Sequence, residues 1–132
     1  MTAFMWDPAL ETGQETIDEQ HRGLFELAAR LDAAAARADV DDDTVADAIY
    51  SLTDYVLEHF SSEEAYMAER SYPGLGSHKG LHGRLTAETM RLTAAYFNGD
   101  ASVAEKIGPF IVAWLKDHII AEDMAFAEFA RQ

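Results

Sequence analysis

Apolar residues recur every three or four positions through most of the chain, and this spacing favours an α-helical fold. Turn signals, among them Tyr72-Pro73-Gly74 and Asn98-Gly99-Asp100, divide the pattern into four long segments. Residues three and four apart lie on one face of an α-helix, so each segment is predicted to bury one stripe. The alternation that would predict a strand never extends over a useful length. Four amphipathic helices with short connections predict an all-α, antiparallel up-down-up-down four-helix bundle.

The predicted bundle occupies residues 15–131 of a single domain that spans residues 1–132. Pro8 and Gly13 interrupt any regular helix near the start of the chain. Residues 1–14 are therefore predicted to form an N-terminal arm that precedes the first helix.

The fourth helical segment has a proline inside it and a capping signal before it. Ser102 lies three residues before Glu105, which predicts a capping box at the start of the helix. Pro109 is predicted to bend this helix or to delay its start, because proline lacks a backbone N–H. A short C-terminal helix is predicted over residues 121–131.

The charge balance argues against several classes of partner. The 132 residues include 24 acidic and 10 basic side chains, a formal net charge of −14. Nucleic acid and anionic lipid repel such a chain, so neither is predicted as a partner. No apolar run approaches the roughly 20 residues of a membrane span, and no signal peptide is evident. The chain has no cysteine, which excludes thiolate metal sites and disulfides. Together these features predict a cytoplasmic protein.

All five histidines fall on or beside the predicted buried stripes, where a bundle normally places leucine. A lone histidine there is most often a satisfied core residue, and a single pair four residues apart often arises by chance. Here each of the four helices contributes. The candidate metal ligands are His21 from the first helix, His59 and Glu63 from the second, His78 and His82 from the third, and His118 and Asp123 from the fourth.

Burying these seven groups would be costly if they stayed unpaired, and a metal centre removes that cost. One ion does not take seven such ligands, so two ions are predicted. Suppose that Glu63 and Asp123 each contact both ions and that one oxo or hydroxo group bridges them. The five nitrogens, four carboxylate contacts and two bridge contacts then supply eleven of the twelve positions of two octahedra. One position remains open for a small ligand.

The spacing of His118 and Asp123 requires an irregular helix. Five residues rotate a straight α-helix by about 140° beyond full turns. The two side chains therefore converge only where the helix bends or breaks, and a local break is predicted near residues 119–122.

The residues alone leave the identity of the metal open. Imidazole suits iron, zinc, copper and nickel. Structural zinc prefers four tetrahedral ligands in a closed site, whereas seven ligands with an open position fit a redox-active iron pair better. The Glu-x-x-His motif of carboxylate-rich di-iron proteins does not occur here. A nitrogen-rich ligand set favours the ferrous state and reversible dioxygen binding.

These residues and their surroundings resemble the hemerythrin family, in particular the bacterial single-domain hemerythrins. The resemblance covers nearly the whole chain. Its motifs are Trp6-Asp7-Pro8, Ile17–His21, His59–Glu64, Tyr72-Pro73-Gly74 before His78 and His82, and Trp114–Ile119 followed by Asp123.

The resemblance implies an oxo-bridged di-iron centre that binds dioxygen reversibly. It assigns three sets of ligands: His78, His82 and His118 on one iron, His21 and His59 on the other, and Glu63 and Asp123 as bridges. The iron with two histidines keeps the open position. The resemblance also implies that Leu115 lines the dioxygen pocket, with Trp114 beside it.

Four acidic residues close to the ligands are a weaker signal. Asp18, Glu64, Asp117 and Glu122 are candidates to accept hydrogen bonds from imidazole N–H groups. A solvated acidic surface is the more common role for such residues, so they are not predicted as site residues.

The predicted function is reversible dioxygen binding for carriage, storage or local supply, and not catalysis. No proton relay or second substrate pocket is visible in the sequence. Three alternatives stay open: an oxygen or redox sensor, which would need a separate protein partner; a di-iron enzyme that reduces peroxide or nitric oxide; and sequestration of zinc or iron.

Overall fold

The computed structural model describes residues 6–37 and 42–131, which form five α-helices. These helices are α1 (Glu15–Ala36), α2 (Asp42–Glu69), α3 (Leu75–Phe97), α4 (Ala104–His118) and α5 (Met124–Ala130). Short 3₁₀ turns at Pro8–Leu10 and Ala101–Val103 precede α1 and α4, and a π-helical turn at Ile119–Asp123 joins α4 to α5. No strand occurs in these residues. None of their helices is both long and apolar enough to cross a membrane.

The helices form the antiparallel up-down-up-down bundle that the sequence predicts. α1 packs against α2 and α4, and α3 packs against the same two helices. Short connections force consecutive helices to run in opposite directions. The predicted breakers coincide with helix ends: Ser71 has a positive φ of 54° after α2, and Gly99 has a φ of 111° after α3. The positive φ of Gly99 is a left-handed conformation that glycine adopts most readily.

The start of α4 differs from the prediction. The carboxylate of Asp100 accepts hydrogen bonds from the Ser102 backbone N–H at 3.2 Å and the Ser102 hydroxyl at 2.6 Å. Ser102 therefore lies inside the preceding 3₁₀ turn, and the predicted capping box with Glu105 is wrong. Pro109 does not delay the helix, which begins at Ala104 and continues through the proline.

Two apolar clusters fill the bundle at different levels along its long axis. The larger one includes Leu24, Phe25, Ile49, Leu52, Leu85, Ile111 and Leu115, and the smaller one is built on Ile17, Met67 and Phe126. Along each main helix, the predicted ligands lie between residues of the larger cluster and residues of the smaller one. The fold thus sets aside one polar layer between two apolar ones.

The described part of the N-terminal arm is tied to both ends of the helical region. The Asp18 carboxylate accepts hydrogen bonds from the Thr12 backbone N–H at 2.9 Å and the Thr12 hydroxyl at 2.8 Å. The guanidinium of Arg131 donates to the Thr12 carbonyl at 3.1 Å. Residues 1–5 of the predicted arm lie outside the described residues.

Candidate metal centre

The seven predicted ligands converge in the polar layer between the two apolar clusters. Each is at most 5% exposed. The five imidazoles direct their Nε2 atoms towards the two carboxylates, and they fall into two groups. The two-histidine group is His21 and His59, and the three-histidine group is His78, His82 and His118.

The two-histidine group faces one oxygen of each carboxylate. Glu63 Oε2 lies 3.4 Å from His59 Nε2 and 3.7 Å from His21 Nε2. Asp123 Oδ2 lies 3.1 Å from His21 Nε2. His21, on α1, thus contacts carboxylates from α2 and from the π-helical turn.

The three-histidine group faces the other oxygen of each carboxylate. Glu63 Oε1 lies 2.7 Å from His78 Nε2 and 3.2 Å from His82 Nε2. Asp123 Oδ1 lies 3.0 Å from His78 Nε2 and 3.2 Å from His118 Nε2. Potential ligand atoms of Glu63 and the three histidines all lie within 4.8 Å of one another, as do those of Glu63 and the two-histidine group. Either set of atoms could hold a metal ion.

Many polar atoms of this layer are buried without a hydrogen-bond partner. They are both ring nitrogens of His21, Nε2 of His59 and of His82, Oε2 of Glu63, and both carboxylate oxygens of Asp123. A buried polar atom that makes no hydrogen bond is costly, and native proteins contain few of them. Imidazole nitrogens and carboxylate oxygens are ligands for transition metals such as iron and zinc. The residues present therefore fit a metal centre.

Burial and neighbouring charges shift the pKa values of the histidines in the polar layer in opposite directions. Burial opposes protonation of His21 and His78, but the close negative charges of Asp123 and Glu63 outweigh it and raise the pKa of each imidazole to about 9. Burial lowers the pKa of His59 to about 4.

The two carboxylates keep their negative charge in spite of their burial. Burial favours the protonated form, but the imidazoles that closely surround the carboxylates hold the pKa of Glu63 and of Asp123 well below the usual range. Glu63 and Asp123 are therefore ionised within the bundle, which is the form in which a carboxylate binds a metal ion.

The π-helical turn brings His118 and Asp123 together. The backbone N–H of Met124 donates to the carbonyl of Ile119, five residues earlier, instead of to a carbonyl four residues earlier. This wider turn places residues five apart on nearly the same face. The irregularity predicted from the spacing is present, but the helix widens and does not break.

Further hydrogen bonds orient two of the imidazoles from behind. His59 Nδ1 lies 2.7 Å from the Gln20 side-chain oxygen, and the Gln20 amide donates to the Ser62 hydroxyl at 3.1 Å. His82 Nδ1 lies 2.8 Å from a Glu64 carboxylate oxygen. An imidazole that donates through Nδ1–H leaves Nε2 as an acceptor, which is the form that binds a metal.

Only part of this outer layer could be predicted from the sequence. Glu64 accepts from an imidazole, whereas Asp18 bonds the N-terminal arm. Asp117 and Glu122 line a surface pocket of about 210 Å³ beside His118. Gln20 was missed, because a neutral amide gives no signal and only the packing of α1 on α2 brings it to His59.

Aromatic rings surround the three-histidine group. Phe60 stacks on His82 with ring centroids 3.8 Å apart, and Trp114 stacks on His118 at 4.4 Å. Trp114 thus lies against a histidine of this group. Leu115, 1% exposed, belongs to the larger apolar cluster.

Comparisons with known proteins agree with this geometry. Residues 12–130 match the family model described as the hemerythrin HHE cation binding domain. A bacteriohemerythrin of Clostridium acetobutylicum is 32% identical over 129 residues, which cover 95% of this chain and 99% of that protein. A hemerythrin-like protein of Naegleria gruberi is also 32% identical, over 93% of this chain and 90% of that protein.

Similarity to solved structures extends over nearly the whole fold. A crystal structure of wild-type hemerythrin superposes with a TM-score of 0.86 at 28% identity, covering 94% of this chain and 95% of that one. The family match, the relatives and the shared fold all confirm the resemblance seen in the sequence. The chain belongs to the hemerythrin family.

Proposed function

We propose that this chain binds dioxygen reversibly at a pair of iron ions, and that it carries, stores or locally supplies dioxygen. The observation that carries this proposal is the division of both carboxylates between the two histidine groups. Glu63 and Asp123 each direct one oxygen to each group. A carboxylate used in this way is suited to bridge two ions, whereas a site for one ion would not need the second oxygen.

The residues that would hold the iron pair are all contributed by this chain. They are His21 and His59 for one ion, His78, His82 and His118 for the other, and Glu63 and Asp123 for both. When bound, the pair supplies the electrons with which dioxygen is held reversibly. The unequal number of histidines supports dioxygen binding, because the two-histidine group leaves more room for an added ligand.

The apolar surroundings support reversible binding over catalysis. Leu115 is 1% exposed and shares an apolar cluster with Phe25 and Phe60. Apolar side chains beside a ligand site exclude water and supply no proton donor. Both effects slow irreversible oxidation of the iron pair, so bound dioxygen is released intact more often. We propose that Leu115 has this role and that Trp114 holds the ring of His118 in place.

Stopped-flow mixing of the reduced, iron-loaded protein with air-saturated buffer tests the proposal. We expect an oxygenated species to accumulate and to disappear when argon removes the dioxygen. Steady consumption of peroxide or nitric oxide without such a species would establish the enzyme alternative instead. A colourless protein that takes up zinc in preference to iron would establish sequestration.

The variant Leu115→Asn sharpens this test. A polar side chain admits water and protons, so we expect the oxygenated species to decay several-fold faster than in the unchanged protein. The iron content should stay the same, because Leu115 is not among the seven ligands. Leu115→Met is the matched control, since it preserves apolar character and volume. Equal decay in both variants would contradict the assigned role of Leu115.

A further inference from the structure

The outer surface of α3 carries a continuous line of small and apolar residues. Its members follow one another at alternating intervals of four and three residues, and all are exposed: Gly76, Gly80, Gly83, Ala87, Met90, Ala94 and Phe97. This is the interval at which one helix presents a seam to another helix. We call this line the α3 seam.

The glycines of the α3 seam have no packing role within the chain. A Cβ atom added at Gly76, Gly80 or Gly83 would meet nothing within 4 Å. Glycine is also less favourable than alanine inside a helix. Its use at three exposed positions is explained if another backbone approaches closely there, because glycine leaves room for such an approach.

Large apolar side chains adjoin the α3 seam on the same side of the bundle. In the part of the chain that the structure describes, five large apolar side chains are exposed, and all except Ile120 lie on α2 or α3. Tyr50 and Phe97 stack with ring centroids 4.8 Å apart, and Leu57 and Met90 are 38% and 47% exposed. Large apolar side chains exposed together on two neighbouring helices are a feature of interaction surfaces. We call the seam together with Tyr50 and Leu57 the α2–α3 face.

The two edges of the α2–α3 face carry opposite charges. Exposed Asp47 and Asp54 follow the α2 edge, and exposed Arg84 and Arg91 follow the α3 edge. The basic edge is unusual in a chain of net charge −14. The face is therefore complementary to a second copy of itself that is rotated by 180° about an axis parallel to the helices.

The register of the two helices fixes which charges would meet. The hydroxyls of Thr53 and Thr93 lie 3.4 Å apart, so Asp54 and Arg91 lie at nearly the same height along the bundle. Glu88 accepts a hydrogen bond from the Arg91 guanidinium at 3.0 Å, which keeps this cation on the α3 edge.

We propose that two copies of this chain pair through their α2–α3 faces, around a two-fold axis parallel to the helices. α2 of each copy then lies against α3 of the other. Asp54 of each copy faces Arg91 of the other, so the ion pair forms twice. The glycines of the α3 seam allow the facing α2 to approach closely.

The size of the α2–α3 face is sufficient for a stable dimer. A helix of 23 residues is about 35 Å long, and two neighbouring helices present a face about 20 Å wide. Each copy would bury roughly 700 Å² on this estimate. Twice that area falls within the range of about 1,200–2,000 Å² that is typical of specific interfaces.

Sedimentation velocity of the purified full chain, from about 1 to about 200 μM, tests the proposal. We expect a concentration-dependent dimer. The charge reversals Asp54→Arg and Arg91→Asp should each weaken dimerisation about tenfold or more, because each places like charges opposite one another twice. The double variant carrying both reversals should restore dimerisation, since it exchanges the two charges.

Matched variants separate this surface from general effects of charge and size. Glu26→Arg changes the net charge as Asp54→Arg does but lies on α1, and it should leave the dimer intact. Gly83→Leu should abolish the dimer, whereas Ala113→Leu on α4 should not. Far-UV circular dichroism checks that each variant is folded. A wild-type protein that stays monomeric throughout, or a dimer that both charge reversals leave unchanged, would overturn the proposal.

Discussion

The two histidine groups share both carboxylates but differ in what stands behind the imidazoles. In the three-histidine group, a charged carboxylate from Glu64 accepts from His82, and aromatic rings stack on two of the three imidazoles. In the two-histidine group, the neutral amide of Gln20 accepts from His59, and His21 has no hydrogen-bond partner at Nδ1. One group is held firmly by the protein, and the other is held with fewer constraints.

For the proposed iron pair, this difference would separate two tasks within one layer of the bundle. A carboxylate behind an imidazole makes it a stronger electron donor, and stacked rings restrict its rotation. The three-histidine group is thus suited to hold an ion permanently. The two-histidine group offers fewer protein ligands, so it is suited to accept and release a further ligand. The following experiments test this division.

Removal of a shared carboxylate should have the largest effect, because it weakens both groups together. We expect Glu63→Ala to reduce iron from two equivalents per chain to one or none after anaerobic reconstitution, as measured by elemental analysis. Glu58→Ala is the matched control, because this exposed glutamate lies on the same helix. A Glu63→Ala protein with two irons and an unchanged optical spectrum would show that the carboxylate does not bridge.

Loss of one imidazole should distinguish the two groups. His59→Ala leaves a single histidine in its group, so we expect about one iron equivalent to remain. His118→Ala leaves two histidines in its group, so we expect more than one equivalent, bound more weakly. Elemental analysis before and after dialysis against a chelator measures both quantities. The asymmetry is absent if both variants lose iron to the same extent.

Exchange of the outer hydrogen-bond partners should have a smaller effect. Glu64→Gln gives His82 a neutral partner, and Gln20→Glu gives His59 a charged one. Changes of such partners typically alter metal affinity about 10-fold to 100-fold. We expect iron release to a chelator to become faster in Glu64→Gln. In Gln20→Glu we expect the reduction potential of the bound iron to fall, because a charged partner makes the His59 imidazole a stronger electron donor. Glu69→Gln, at an exposed site on α2, is the control and should change neither quantity.

Metal removal should lower the thermal stability of the bundle. An ion present at a hundredfold excess over its Kd stabilises the fold by about 2.7 kcal/mol if it binds only the folded state. For a domain of this size the melting temperature should therefore fall by several degrees, roughly, when iron is removed. His59→Ala loaded with one iron should melt between the two forms. Identical melting of loaded and metal-free protein would show that the site is not coupled to folding.

Much of the bundle and of the candidate site could be predicted from the sequence, because both depend on spacing within single helices. The four-residue intervals between His59 and Glu63 and between His78 and His82 place each pair on one face. The five-residue interval between His118 and Asp123 does not fit a regular α-helix, and it predicted the position of the irregular turn. Such inferences need only the geometry of one helix.

Features that depend on packing between helices were harder to predict. Gln20 reaches His59 only because α1 and α2 pack with a particular register. The cap at Asp100 depends on a 3₁₀ turn that the capping-box pattern does not distinguish from a regular helix start. The α3 seam is visible in the sequence, but its meaning depends on knowing that these positions are exposed.

The π-helical turn has a consequence for how the chain tolerates insertions and deletions. It amounts to one extra residue within a stretch that is otherwise α-helical. Deleting one residue from 119–122 would restore a uniform helix and rotate everything after it by about 100°. Asp123 would then leave the polar layer. Phe126 would lose its contact with Tyr72, and the ring centroids of these two residues now lie 5.0 Å apart. One extra residue thus positions both a carboxylate of the candidate metal centre and an aromatic side chain that closes this end of the bundle. A deletion in this turn would therefore disrupt both at once.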